Sequence, residues 1–146
     1  MTNFSNCNLK IKFKFGYCNN KFFNVAIKYK DSVTSIFPTQ HDEEFIAVYE
    51  NTIQLPTDIE IYFSEKDINQ DTIVDDIGNI KEDMYVQIEE ISLDSVKLNS
   101  KYLHQKISIV TENNDVHTTS YIGFNGKITL NFHENNVFFQ VLTANK

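Results

Sequence analysis

From residue 9 the chain alternates with a period of two: Leu9, Ile11, Phe13 and Phe15 are apolar, and Lys10, Lys12 and Lys14 stand between them. Successive side chains of an extended strand point to opposite faces, so this rhythm predicts a strand with one face in a core and the other in water. The pattern returns over Phe23, Val25, Ile27 and Tyr29 after the turn-prone residues 16–20, and over Ile59, Ile61 and Phe63, with Glu60 and Tyr62 facing outward. Shorter strands are expected at 33–37 and 45–49. Met84, Val86 and Ile88 alternate again, the phase slips at Glu89-Glu90, and Ile91 and Leu93 resume the apolar face. Such a slip within one strand is the sequence signature of a β-bulge.

Short elements follow around Val96 and Leu98 and around Ile107 and Ile109. Residues 116–124 and 127–132 flank Asn125-Gly126, a strong two-residue hairpin signal, and Val137, Phe139 and Val141 supply a closing strand. Only residues 42–49 offer a helical reading, and their β-branched and aromatic content favours a strand. Roughly eight to ten short strands separated by turns predict an all-β fold: a single antiparallel β-sandwich, jelly-roll or related Greek key. With 146 residues and no repeat or linker, one domain over 1–146 is expected.

Cys7 and Cys18 bracket the first strand. Its ends would lie about 36 Å apart at about 3.3 Å per residue, against the roughly 7 Å that a disulfide allows. Two unbridged thiols are therefore expected, and their spacing is no zinc signature. No apolar run approaches the roughly 18 residues that span a bilayer, so no membrane insertion is expected. Residues 1–8 lack the layout of a signal peptide. The expected location is the cytoplasm during synthesis, with a virion as the destination if the chain joins an assembly.

Charge is uneven. Residues 1–30 hold six lysines and no acid, while residues 58–94 hold twelve acids against Lys66 and Lys81, within a net charge of −7. The chain has no arginine, the residue that best forks a phosphate, which argues against a nucleic-acid partner. The acids concentrate in the connection 64–83, as Glu65, Asp67, Asp71, Asp75, Asp76, Glu82 and Asp83. Crowded carboxylates on a long connection suit calcium, which takes clustered oxygen ligands. Asp75, Asp76, Asn79 and Asp83 are the candidate ligands. The other reading is a solvated acidic loop turning at 75–79, where Gly78 accepts a positive φ.

Leu55-Pro56-Thr57-Asp58-Ile59-Glu60-Ile61-Tyr62-Phe63, the acidic connection, and Glu82-Asp83-Met84-Tyr85-Val86-Gln87-Ile88-Glu89-Glu90-Ile91-Ser92-Leu93-Asp94 together resemble a segment of calcium-dependent, xylan-binding-type carbohydrate-binding modules. The resemblance covers residues 52–98. It implies a small β-sandwich, calcium in the acidic connection and a carbohydrate ligand. The family's arginine-asparagine after the aspartate is replaced here by Met84-Tyr85. The segment is similar also to small sandwiches among phage head, tail and fibre components.

Sugar sites use an aromatic platform with polar edges. Without tryptophan, that platform falls to Tyr62, Tyr85, Tyr102, Tyr121 or Phe124. Outward tyrosines also serve as cross-strand packing. Phe124 is a candidate anchor for a partner, unless it folds back over the core. The stripe Lys10, Lys12 and Lys14 suits a negative partner, including another subunit's acidic connection; alternatively it is a solvated face that discourages edge pairing. His41, His104, His117 and His133 are scattered, and no nucleophile elbow, phosphate loop or H-E-x-x-H occurs. The expected function is non-catalytic: a structural or accessory component of a larger assembly, with a phage virion as its setting, acting through contacts with other protein subunits or with itself. The alternative is a carbohydrate-binding module with a calcium site in the acidic connection.

Overall fold

A computed structural model describes residues 5–67 and 71–133. Among the described residues, the alternating positions form two antiparallel sheets of six strands each, pressed together around one apolar core. The first sheet contains β1 (Ser5–Gly16), β4 (Thr39–His41), β5 (Glu44–Leu55), β9 (Tyr85–Leu93) and β10 (Val96–Asn99) in the order β10-β9-β1-β5-β4, and β13 (Tyr121–Ile122) also pairs with β9. The second runs β12-β11-β14-β6-β2-β3, from β2 (Asn24–Tyr29), β3 (Ser32–Ile36), β6 (Thr57–Ser64), β11 (Ser108–Thr111), β12 (Val116–Thr118) and β14 (Gly126–Phe132). β1 lies between β9 and β5 and β6 lies between β14 and β2, a Greek-key arrangement of strands distant in sequence. The strand expected over Val137, Phe139 and Val141 lies outside the described residues.

The period-two reading sorts the side chains correctly. Leu9, Ile11 and Phe13 of β1 and Ile59, Ile61 and Phe63 of β6 are buried, whereas Tyr62 faces out. The phase slip in β9 is a bulge: Lys12 pairs with Glu90 and Phe13 with Ile88, so Glu89 is the extra residue. Cys7 and Cys18 are buried thiols. Burial pushes the Cys18 thiol up, which makes it a poor nucleophile.

Three sequence expectations change. No helix is expected from the sequence, yet residues 100–103 form a helical turn, α1 (Ser100–Leu103), capped by the Asn99 side chain accepting from the Tyr102 N–H, while the strand favoured at 42–49 forms within β5. The connection 64–83 is not a structureless loop, because β7 (Thr72–Val74) pairs with β8 (Ile80–Asp83) as a separate ribbon. Gly78, at φ 90°, turns that ribbon as expected. Finally, Asn125-Gly126 makes no hairpin. The preceding segment splits between the sheets, β12 pairing with β11 and β13 with β9, while β14 begins at Gly126 and pairs with β6 and β11. The glycine serves close approach instead: a Cβ there would stand 2.4 Å from the carbonyl oxygen of Val110.

The lysine stripe is balanced within its own sheet. Lys10 lies opposite Glu50 on β5, Lys12 opposite Glu90 on β9, and Lys14 meets Glu44 at 3.1 Å.

Candidate functional site

Strand ends from both sheets meet at one end of the sandwich. Pairings of Gly16 with Tyr85, Phe15 with Phe45, Gly126 with Phe63 and Asn24 with Ser64 place these ends together. Short segments crossing between the sheets cover the end: residues 64–67 after β6, the β7–β8 ribbon, and residues 123–125 between β13 and β14. Polar side chains tie these segments together.

Lys66 is the central tie. Its Nζ donates to Asp83 Oδ1 at 2.8 Å and to the Gly123 carbonyl at 2.9 Å, and only 5% of its side chain is exposed. Thr72 donates to the same Asp83 oxygen at 2.7 Å, and the Tyr121 hydroxyl donates to Asp83 Oδ2 at 2.8 Å. Tyr121 stacks on Tyr85 with ring centres 4.7 Å apart, and the Tyr85 ring covers the bare face of Gly16. The Asn125 side chain accepts from the Lys66 N–H and donates to the Lys66 carbonyl. Asp71 is the second tie: it accepts from Lys21 Nζ at 2.7 Å and from the Asp67 N–H at 2.7 Å.

These contacts order the titrations. Burial opposes ionisation of Asp83, but the hydrogen bonds from Lys66, Thr72 and Tyr121 outweigh it and hold the carboxyl below its ordinary value. The hydrogen bond from Lys21, with that from the Asp67 backbone, holds Asp71 down as well. Burial and then the Asp83 carboxylate push the Tyr121 phenol up, so Tyr121 stays protonated and donating. A carboxylate whose folded pKa lies below its unfolded value of about 3.9 contributes stability that is present above about pH 4 and lost as pH falls through the folded pKa. Urea midpoints should therefore drop below about pH 4. The gap between the wild type and Asp71→Asn, open at pH 7, should close over that window. A gap of constant size down to pH 2 would contradict the assignment.

Around these ties runs a groove. A cleft of about 530 Å³ is lined by Lys66, Asp67, Glu112, Asp115, Phe124 and Asn125, together with His117. Phe124 is 48% exposed and stacks on His117, with ring centres 5.3 Å apart and planes 16° apart. A neighbouring hollow of about 380 Å³ shares Lys66 and Phe124 with it and reaches Asp83 and Tyr121. A third, of about 330 Å³, is lined by Asp83, Tyr85, Tyr17 and Phe45.

Of the sequence-derived candidates, Tyr85, Phe124 and Asp83 come together at this end, with Tyr121. Tyr62 lies on the outer face of the second sheet, its hydroxyl bonded to Glu60 and the Lys127 ammonium 6.0 Å from its ring. Tyr102, on α1, packs against the core. Lys10, Lys12 and Lys14 lie on the outer face of the first sheet. Asp75, Asp76 and Asp83 are not gathered into a group able to hold a metal ion, and no such group of three occurs among the described residues. Asp75 instead accepts the N–H groups of Ile77 and Asn79 and stabilises the ribbon turn. Both oxygens of Asp83 and one of Asp75 are already engaged by protein hydrogens. Sequence reasoning missed Lys66, Asp67, Glu112, Asp115, His117 and Asn125.

No family model matches the chain, and no curated protein matches it. Two solved structures are similar to it. One is vCBM60 in complex with galactobiose, at 11% identity and a TM-score of 0.47, covering 85% of this chain and 97% of that one. The other is a selenomethionine form of vCBM60, described among two circularly permuted families of calcium-dependent carbohydrate-binding modules, at 12% identity and a TM-score of 0.48, covering 87% of this chain and 91% of that one.

Proposed function

We propose that this chain is a non-catalytic carbohydrate-binding module that takes a glycan chain in the end groove over Phe124. The observation that supports this reading is the half-exposed Phe124 ring, braced by His117 and edged by carboxylates and amides. The C–H face of a sugar ring packs on an aromatic face, while its hydroxyls need acceptors and donors at the rim. Asp67, Glu112 and Asp115 supply acceptors, and Asn113 supplies both. The cleft falls in the range of roughly 300–1,000 Å³ typical of ligand sites. Three carboxylates on the rim favour neutral or amine-bearing sugars over polyuronates, whose charges would be repelled.

Calorimetric titration against neutral, amine-bearing and uronic-acid oligosaccharides tests this. Binding of a neutral or amine-bearing glycan is expected, and Phe124→Ala should weaken it at least tenfold, about 1.4 kcal/mol, without lowering the melting temperature. Failure of every neutral and amine-bearing glycan to bind, or binding untouched by Phe124→Ala, would end the proposal.

A second reading, as a component of an assembly such as a phage particle, draws on the edge strand β3. Val33 is 63% exposed there and Phe37, just beyond, is 74% exposed. Among the described residues no strand pairs with the outer side of β3, and such an edge is a template for pairing with another chain. Size that rises with concentration, and falls back on Val33→Lys, would favour this reading; a monomer at all concentrations would remove self-assembly from it.

A further inference from the structure

We propose that Lys66 is a built-in cation of the end groove, its ammonium neutralising Asp83 and tying it to the segment that bears Phe124, so that the groove keeps its shape without calcium. The inference concerns the site proposed above, but it is read from protein stability and so stands or falls separately from glycan binding.

The surroundings of Lys66 Nζ carry the argument. Within 2.9 Å stand a carboxylate oxygen from the end of β8 and a backbone carbonyl from the segment that bears Phe124. Both are oxygen donors of the kind calcium prefers. The Phe23 ring lies 5.9 Å from the nitrogen and closes the apolar side. The side chain reaches this position because Glu65 holds a left-handed φ of 75°, a conformation disfavoured for a residue with a Cβ, and because Asn125 grips the Lys66 backbone from both sides. An ammonium this buried, placed against a carboxylate and a carbonyl, leaves no room for a second cation on those oxygens. Removing it would leave Asp83 with a charge and no counter-charge in contact, and the penalty of an unpaired buried charge exceeds that of deleting the pair. Lys21 on Asp71 repeats the arrangement nearer the surface, with 41% of the lysine side chain exposed.

Thermal melts of the full chain test the proposal. A specifically bound ion must raise stability as its concentration passes its dissociation constant. Wild-type melting curves in millimolar calcium and in excess chelator are therefore expected to superimpose. Lys66→Met, which keeps the length of the side chain and removes its charge, should lower the melting temperature by about 10 °C. Adding Asp83→Asn to Lys66→Met should recover part of that loss, because the stranded charge is then gone. A calcium-dependent rise in the wild-type melting temperature that chelator reverses would overturn the proposal. So would additive losses in the double variant, which would mean that the two side chains are not coupled. Should Lys66→Met not fold, the wild-type melts still decide the question, and a double variant that folds where the single does not counts as the expected coupling.

Discussion

Phe13→Ala is expected to lower folding stability by about 3–5 kcal/mol, the cost of deleting a large side chain that its neighbours cannot replace. Phe13 is fully buried on β1, opposite Ala47 of β5 on one side and Ile88 of β9 on the other. Cavities left at such a position close poorly, because three strands fix the surrounding backbone by hydrogen bonds. Urea unfolding should show a lower midpoint with an unchanged slope, which marks a change in stability and not in the extent of unfolding. Val48→Ala, one sheet position away but 47% exposed, is the control and should cost less than about 1 kcal/mol. Equal losses at both positions would mean that β1 does not present Phe13 to a shared core.

The second large effect is expected at Gly126. Substitution by valine forces a Cβ to within 2.4 Å of the Val110 carbonyl oxygen and 2.9 Å of the Ile109 side chain. Backbone cannot yield as a side chain does, so β11 must move away from β14, at a cost of about 2–3 kcal/mol. Gly78→Val makes the comparison: space is open there, and only the positive φ of 90° penalises a side chain. That substitution should cost about 1–2 kcal/mol. Chemical denaturation of both variants separates them. A smaller loss at Gly126 than at Gly78 would argue that Asn125-Gly126 is a turn after all.

This pair of glycines also marks how far the sequence is legible. Gly78 sits between short strands and behaves as its local context predicts. Gly126 carries an equally strong local signal, yet its role is set by Val110, a partner that no local reading reveals. The in-out rhythm of β1, β6 and β9 is legible because burial of one face imposes it residue by residue, and even the extra Glu89 shows as a slip of phase. Sheet membership is not legible, because alternation says which face is apolar and not which strand lies alongside. Residues 116–124 therefore read as one strand although they divide between two sheets.

The candidate site follows the same rule. Tyr85 and Phe124 stand out as aromatics beside turns, but the acidic rim of Asp67, Glu112 and Asp115 comes from two connections far apart in the chain. Lys66 has a faint sequence signal, as one of two lysines in a long acidic stretch. Net charge describes the connection 64–83 as a place seeking cations; the fold shows that it already has two, Lys66 on Asp83 and Lys21 on Asp71.

The register joining Phe13 to Ile88 and Ile61 to Ile128 has a kinetic consequence. Neither pair can form until a long stretch of chain has been brought back on itself, and that entropy is lost before any apolar burial repays it. Such topologies cross their barrier in milliseconds to seconds, far more slowly than helical bundles of similar stability. Until β14 arrives, β6 has an open flank, so chaperones or dilution should raise the yield of refolding more than any gain in final stability.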